Sequence, residues 1–363
     1  MKTLLFTIEY PPFKGGVSNY YGNLIKYWPE KDNIKVLNNN SGALLFNKIW
    51  PKWLPAFWQF VKLNKQEKFD HIIVGHLLPL GIILYIYSIF NKVSYSVIIH
   101  GMDINYALRK NRKRIISLKI LKKAKHIFCP NSYTAGLVKD FIGQENHGKV
   151  KVINPGIDIN INFNKYQNEE ILKKYNLQDK IVLFTISRLV KRKGQDKVIE
   201  ALKKIYMVNS DIHYFIAGKG ENEAYLKEIA GICPNIHFLG SLSDDEKWQW
   251  LKSSDIFIMP ARDIEGDFEG FGIVYLEAAL ASLPVIGGNS GGVKDAIIDG
   301  ETGLLVDSQS VDDIAGAILK LAQDTKLRKR MGVQGRERAV RDFEWSKQIK
   351  KIYNQIKNSD IAN

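Results

Sequence analysis

Asp255-Ile-Phe-Ile-Met-Pro-Ala-Arg262, a polar loop carrying Asp263, Glu265 and Asp267, and then Glu269-Gly-Phe-Gly-Ile-Val-Tyr-Leu-Glu277 decide how this chain is read. Ile256 to Met259 form an uninterrupted apolar run, which predicts a strand buried on both faces. Gly270 and Gly272 then punctuate the chain, and Ile273-Val-Tyr-Leu-Glu-Ala-Ala-Leu-Ala281 predicts a helix. A strand that passes through a glycine turn into a helix is the repeating unit of parallel α/β sheets. The first N–H groups of such a helix lack partners and sit at the positive end of its dipole, so the turn favours an anion, most often a phosphate. Glu269 lies on the loop side and Glu277 just over a turn into the helix, so both are placed to face one ligand whose phosphates lie between them. Taken singly, the two acids read as a helix-start charge and a solvated one.

The same alternation runs outward in both directions. Strands are predicted over Thr3–Ile8, Ile34–Leu37, Ile72–Gly75, Tyr95–His100, His126–Cys129 and Lys151–Ile153. Near Asn154-Pro-Gly-Ile-Asp158 the pattern restarts, and the Asn-rich segment through Glu170 reads as an interdomain linker. Further strands are predicted over Ile181–Ser187, Ile212–Ala217, Ile236–Leu239, Ile256–Met259, Pro284–Gly287 and Leu304–Val306. The expectation is two Rossmann-like α/β domains in series, residues 1–160 and 161–343, with a cleft between them and a final amphipathic helix over 344–363. Ligands of such sheets bind outside the carboxyl ends of the strands, and every motif below lies at such an end.

Bulk properties narrow the class. Cys129 and Cys233 are too few and too separated for a disulfide framework or a metal site, and suit a reducing cytosol. Lys2-Thr-Leu-Leu-Phe-Thr-Ile8 reads as a first strand and is too short for a signal core. The longest apolar run, His71 to Phe90, is interrupted by Gly75, His76, Pro79 and Gly81, and so reads as a strand followed by a buried helix rather than a membrane span. Residues 1–150 hold 22 Lys/Arg against 8 Asp/Glu, whereas 151–363 hold 30 of each. The whole net charge of +14 therefore sits on the first half, which speaks of partners and not of fold.

Three further loops carry chemistry. After the strand ending at Ser187 comes Arg188-Leu-Val-Lys-Arg-Lys193-Gly194. It reads either as a basic surface turn or as a diphosphate clamp, in which a planar guanidinium and a compact ammonium meet phosphate oxygens. Lys191 and Arg192 read as solvated bystanders. Gly15-Gly16 after the first strand is a plain turn or an anion loop. His100, at a predicted strand end before Gly101-Met-Asp103, reads on its own as a satisfied structural histidine, as does His76. The sequence has no His/Cys cluster at metal-ligand spacing and no Asp-x-Asp motif, so phosphate charge is expected to be met by cationic side chains and helix N-termini, with no metal.

Glu269…Glu277, continued by Leu283-Pro-Val-Ile-Gly-Gly288 and Ser290-Gly-Gly-Val293, together with Arg188 and Lys193, resembles family 4 of the retaining glycosyltransferases in the glycogen-synthase-like superfamily. Within it the chain is similar to the bacterial mannosyltransferases acting on phosphatidylinositol. The resemblance covers nearly the whole chain and implies a glycosyltransferase-B architecture, with the C-terminal helix crossing back onto the first, acceptor-binding domain. It implies that Arg188 and Lys193 neutralise the diphosphate leaving group, that Glu269 orients the donor sugar and that Glu277 holds the ribose hydroxyls. It gives His100 a hydrogen bond to the sugar near the reacting carbon, with Asp103 as its orienting partner. It brings Gly15 and Gly16 to the terminal phosphate, Gly218 to the nucleotide, Ser241 and Leu242 to the base, and Gly270, Phe271, Gly272, Ile273 and Val274 to the donor. The implied reaction is retaining, metal-independent hexosyl transfer from GDP-mannose or a UDP-sugar, by same-face attack in which the departing phosphate accepts the acceptor's proton. Same-fold alternatives are a sugar-nucleotide epimerase or a disaccharide synthase; another class is a catalytically dead nucleotide-sugar-binding or membrane-adaptor protein.

Two segments of the basic half bear on the acceptor. Ile49-Trp50-Pro-Lys-Trp53-Leu-Pro-Ala-Phe57-Trp58-Gln-Phe60 concentrates large aromatic residues, and Arg109 to Lys125 carries nine Lys/Arg and no acid. They read as a core helix and a solvated face, or together as an interfacial device in which Trp53 and Trp58 sit at headgroup level while Arg112, Lys113, Arg114, Lys119, Lys122 and Lys123 meet anionic lipid. The second reading fits a lipid-linked or saccharide acceptor and a monomer peripheral to the cytoplasmic, inner face of a membrane. No stacking-platform motif accompanies the charge, which argues against nucleic acid.

Overall fold

The computed structural model describes residues 1–13, 15–47, 50–108, 111–166 and 169–361. Lys14 of the first glycine loop, Ile49 heading the aromatic stretch, Arg109 and Lys110 heading the basic run, Gln167 and Asn168 of the predicted linker, and Ala362 and Asn363 lie outside the described residues.

The chain forms two compact units, Met1–Gly156 with the C-terminal helix Trp345–Ile361, and Ile157–Glu344. The first contains β1 (Thr3–Phe6), β2 (Ile34–Leu37), β3 (His71–Val74), β4 (Ser94–Ile98), β5 (His126–Cys129) and β6 (Val150–Val152). These pair in parallel in the order β2-β1-β3-β4-β5-β6. The second contains β7 (Ile181–Ile186), β8 (Ile212–Ala217), β9 (Ile236–Gly240), β10 (Ile256–Met259), β11 (Val285–Gly288) and β12 (Gly303–Val306), also parallel, in the order β12-β11-β10-β7-β8-β9.

Each sheet reverses its winding once, between β1 and β3 in the first unit and between β7 and β10 in the second. Helices leaving two such neighbouring strands depart to opposite faces, which opens a crevice at the carboxyl ends where ligands bind. The loops after β7 and β10 are those that hold Arg188 to Lys193 and Arg262 to Glu269.

Both sheets are covered on both faces. In the first unit Leu4, Phe6, Ile72 and Val74 pack toward Phe60, Leu80, Ile83 and Leu84. On the other side Leu5, Ile73, Ile98 and Phe128 meet Tyr20, Tyr21, Trp28 and the C-terminal helix residues Trp345, Ile349, Ile352 and Ile356. Gly156 is needed at that crossing, because a Cβ there would lie 2.5 Å from the Trp345 Cα.

Two expectations change. Within the predicted linker, Ile157 to Phe163 are not a linker: Ile157 is in the second unit's core, its N–H bonds to the Phe343 carbonyl at 2.7 Å, and Ile159, Ile161 and Phe163 pack on the same core. The alternation Ile157-Asp-Ile-Asn-Ile-Asn-Phe163 buries Ile157 and half-buries Ile159, Ile161 and Phe163 while the residues between stay exposed, and its asparagines disguise it. The strand predicted to reach His100 stops at Ile98. The Ile99 N–H still reaches Phe128 O, but the His100 N–H turns to Asp103 Oδ2 at 2.8 Å, so His100 belongs to the following loop. The apolar run after β3 becomes the 11-residue helix Leu80–Phe90. Among the described residues no helix is long and apolar enough to cross a membrane.

Candidate active site

At the switch point of the second sheet the loop after β7 presents Arg188, Arg192 and Lys193, and the loop after β10 presents Asp267 and Glu269. Lys193 and Glu269 are both buried, and Lys193 Nζ donates to Glu269 Oε2 at 2.5 Å. Arg192 NH1 donates to the same oxygen at 2.6 Å, and its Nε lies 3.1 Å from Asp267 Oδ1. This overturns the reading of Arg192 as a solvated bystander: its side chain is only 11% exposed. The short 3-10 turn Lys191–Lys193 is the physical reason, because it directs two neighbouring cations to one carboxylate while Lys191 stays exposed. Burial alone would raise the Glu269 carboxyl, but Lys193 and then Arg192 outweigh it and hold Glu269 below the ordinary range. Burial lowers the Lys193 ammonium, with Glu269 opposing that shift. Arg188 is exposed, and among the described residues its side chain has no acidic partner.

Glycines set the surrounding backbone. Gly272 sits at φ +78°, where a Cβ would strike the Tyr275 ring at 2.4 Å. It begins the helix Ile273–Leu280, whose first turn has no side-chain cap and no acid, so Gly270, Phe271, Gly272, Ile273 and Val274 form a helix start suited to an anion. Tyr275 OH fastens this helix to the Met259 carbonyl at 2.5 Å. The Gly292 N–H holds the Glu269 carbonyl at 2.9 Å. Gly218 has φ +128°, and a Cβ there would collide with the Ser187 carbonyl, so the loops after β7 and β8 pack backbone to backbone.

Glu277, one turn into its helix, accepts from Lys247 Nζ at 2.8 Å. Burial would lower the Lys247 ammonium, but Glu277 and then Asp244 raise it above the ordinary lysine range. Sequence reasoning missed Lys247. Ser241 and Leu242 lead into Ser243, whose capping box with Glu246 starts the Asp244–Ser253 helix that carries it. The capping box was legible as Ser-Asp-Asp-Glu; the face of that helix turned toward Glu277 was not.

In the first unit, Gly15 and Gly16 open the helix Gly16–Lys26 without a side-chain cap. A Cβ on Gly16 would meet nothing within 4 Å, so packing does not require a glycine there. His100 Nε2 lies 2.7 Å from Tyr21 OH, and that hydroxyl donates its proton to the Gly75 carbonyl at 2.5 Å. The hydroxyl oxygen therefore accepts from Nε2–H, which leaves His100 Nδ1 as the acceptor nitrogen. Burial, followed by the nearby His76, lowers His100 to about 3, so its ring is neutral through the physiological range. Asp103 does not orient the ring as expected. It accepts from the His100 backbone N–H, and Tyr21 takes the orienting role. Tyr20, wedged between Trp345 (5.6 Å) and His100 (5.3 Å), ties this arrangement to the C-terminal helix.

The interfacial residues separate into two groups. Trp53 is half-buried against the core of the first unit together with Phe57, whereas Trp58 is 62% exposed. Trp53 precedes the helix Leu54–Glu67 and turns part of its ring inward, which leaves less of it than of Trp58 to meet a headgroup. On the helix Asn111–Lys123, Lys122 pairs with Glu145 at 3.0 Å and Lys123 donates to the Ser88 carbonyl at 2.7 Å, so both are engaged within the protein. Arg112, Arg114 and Lys119 are exposed, and Lys113 lies over the Tyr106 ring at 3.3 Å.

Two parallel-sheet units with these strand-end clusters have the glycosyltransferase-B fold. The structure is similar to that of Anabaena HepE in complex with UDP (TM-score 0.80, 18% identity, 99% of this chain and 100% of that one). It is equally similar to sucrose-phosphate synthase from Thermosynechococcus elongatus (TM-score 0.79, 17% identity, 100% of both). Residues 14–161 match the family described as Glycosyltransferase Family 4, and residues 167–338 match Glycosyl transferases group 1. The chain belongs to family 4 of the glycosyltransferases. It is 26% identical, over 99% of both chains, to a GDP-mannose-dependent alpha-(1-6)-phosphatidylinositol monomannoside mannosyltransferase of Mycobacterium tuberculosis. It is 28% identical to the GDP-mannose-dependent monoacylated alpha-(1-6)-phosphatidylinositol monomannoside mannosyltransferase of Corynebacterium glutamicum, over 95% of this chain and 94% of that one.

Proposed function

We propose that this glycosyltransferase moves a hexose from GDP-mannose or a UDP-sugar to a lipid-linked acceptor, with retention of anomeric configuration and without a metal ion. The observation that carries the reading is the Lys193–Glu269–Arg192 cluster at the switch point, beside the uncapped start of the Ile273–Leu280 helix. Breaking a sugar–phosphate bond builds positive charge on the anomeric carbon and negative charge on the departing diphosphate. Lys193 transfers from Glu269 to that diphosphate, where Arg188 and the helix start join it. Arg192 stays on Glu269, so the carboxylate keeps its charge and its position on the sugar hydroxyls. Groups fixed before the reaction and aimed at developing charge lower the barrier by several kcal/mol in a shielded site. The acceptor oxygen attacks the face the diphosphate leaves, and its proton passes to the departing phosphate oxygen. His100, neutral, accepts a sugar hydroxyl through Nδ1, and Glu277, held by Lys247, binds the ribose. The relatives in Mycobacterium and Corynebacterium support a mannosyl donor and a phosphoinositide-type acceptor, and the exposed cations of the first unit support work at the inner, cytoplasmic face of an anionic membrane.

The test is to incubate the protein with GDP-mannose or UDP-glucose and vesicles containing phosphatidylinositol, with and without EDTA, and to read the anomeric configuration of the lipid product by NMR. A retained α linkage, unchanged by chelation, is expected. An inverted product, or activity lost to EDTA and restored by magnesium, overturns the mechanism.

A further inference from the structure

The first unit carries a groove of about 420 Å³ that the proposed chemistry does not use. Leu78, Pro79, Ile82 and Ile116 make its floor, and Tyr106, Arg112 and Lys113 its lip. Leu78 and Pro79 follow β3, and Ile82 lies in the first turn of the Leu80–Phe90 helix. Tyr106 is on the helix Met102–Leu108, which follows β4, and Arg112, Lys113 and Ile116 occupy the first two turns of Asn111–Lys123, which leads into β5. In a parallel sheet a helix that leads into a strand begins at the carboxyl edge. All the walls therefore lie at the edge of the sheet that holds His100.

The lining is chemically two-ended. Its floor is hydrocarbon, its lip carries two cations, and none of its residues is acidic. The helix behind the lip has Arg112, Lys113 and Arg114 in its first turn and no acid there. Cations at that end oppose the helix dipole, so an anion held there would relieve the arrangement. At the other end of the same helix Lys122 and Lys123 are already engaged, so apart from the exposed Lys119 the helix's remaining cations, Arg112, Lys113 and Arg114, stand at the groove end.

We propose that this groove takes the hydrocarbon chain nearest the phosphate of a lipid-phosphate acceptor, with the methylenes on the floor and the phosphate at Arg112 and Lys113. The assignment rests on the lipid-linked acceptor proposed above. A single chain is drawn out of the bilayer, and the headgroup is delivered to the edge that holds His100.

The experiment is calorimetric titration of the full chain, without donor, with ethyl, hexyl and decyl phosphate below their micelle concentrations. Each methylene that leaves water should tighten binding roughly threefold to fourfold. Ile116→Trp, which fills the groove, should abolish the dependence on chain length and leave ethyl phosphate unaffected. Tyr106→Ala, at a half-exposed position that does not threaten folding, should weaken decyl phosphate severalfold. Arg112→Gln with Lys113→Gln should weaken all three ligands tenfold or more and keep the chain-length slope. A parent protein that binds the three alike, or a slope untouched in Ile116→Trp and Tyr106→Ala, overturns the groove. Pelleting with phosphatidylglycerol vesicles separates the two ideas. Pelleting without a chain-length slope overturns the groove and leaves the membrane reading standing. A slope without glycosyl transfer to any lipid upholds the groove and overturns the lipid-linked acceptor.

Discussion

In the loop after β10 Glu269 is buried between two cations, whereas past the end of β4 His100 is half-buried against a phenol and stays neutral. Both clusters stand at the carboxyl edge of a parallel sheet, yet one is built from opposed charges and the other from hydrogen bonds among uncharged rings and carbonyls. A buried ion pair is costly to assemble and costlier to break, because the survivor keeps an uncompensated charge. In the mechanism proposed above, the second-unit cluster is therefore a store of charge for an incoming diphosphate. The His100 and Tyr21 rings carry no charge, so in the proposed reaction they contribute position.

The sharpest way to break this contrast is to compare Lys193→Ala with Tyr21→Phe. Removing Lys193 should cut turnover a hundredfold or more, since in the proposed mechanism it deletes a charge-assisted contact to the leaving group, about 3 kcal/mol of barrier. Tyr21→Phe should cost turnover only severalfold, with stability falling by about 1–3 kcal/mol as the Gly75 carbonyl and His100 Nε2 lose their partner. Equal losses of turnover in steady-state kinetics would erase the distinction.

Next in size is a double-mutant cycle on stability. Glu269→Gln should destabilise by about 3 kcal/mol, because the buried Lys193 loses its carboxylate partner beside Arg192, which keeps only Asp267. Arg192→Met should cost less, since the Lys193–Glu269 pair survives. The double variant should fall short of the sum by more than 0.5 kcal/mol, about the limit expected for independent sites. Additive losses in denaturant unfolding would mean that Arg192 acts apart from Glu269.

Acid pH sharpens the contrast further. Glu269 has its folded pKa depressed, so its stabilising contribution is present above the unfolded value, near 4.3, and is lost as pH falls through the folded pKa. Asp103 has its folded pKa raised by burial, so its ionised form opposes folding at neutral pH, and protonation relieves this as pH falls. Glu269→Gln should therefore flatten the fall of Tm between about pH 5 and pH 3, whereas Asp103→Asn should steepen it. Calorimetric scans at half-unit pH steps would show it, and parallel curves for the two variants would contradict both assignments.

The smallest effect is expected at Lys247. Lys247→Met should raise the KM for the donor several-fold at unchanged kcat, because the ribose contact proposed for Glu277, which Lys247 holds, would exist before and during the reaction. A fall in kcat instead would move Lys247 into the chemistry.

Much of this was legible in the chain. Continuous apolar runs such as Ile256 to Met259 can only be strands covered on both faces, and glycines at 218 and 272 stand where a side chain would collide with backbone or ring. Arg188, Lys193 and Glu269 could be singled out because each lies in the loop that follows a predicted strand. What could not be seen was direction. In an irregular loop no period of 2.0 or 3.6 assigns faces, so neighbours as alike as Lys191 and Arg192 separate only when the turn is built, one toward solvent and one onto Glu269. The same holds for Lys247 meeting Glu277 across two helices, for Tyr21 displacing Asp103 as the partner of the His100 ring, and for Trp53 turning inward while Trp58 stays out. Local sequence determined which segments pair and where the chain must bend, since those are short-range steric and hydrophobic constraints. Which polar side chains meet was decided by tertiary packing, because partners 30, 76 or 79 residues apart come within hydrogen-bond distance only after both sheets have formed.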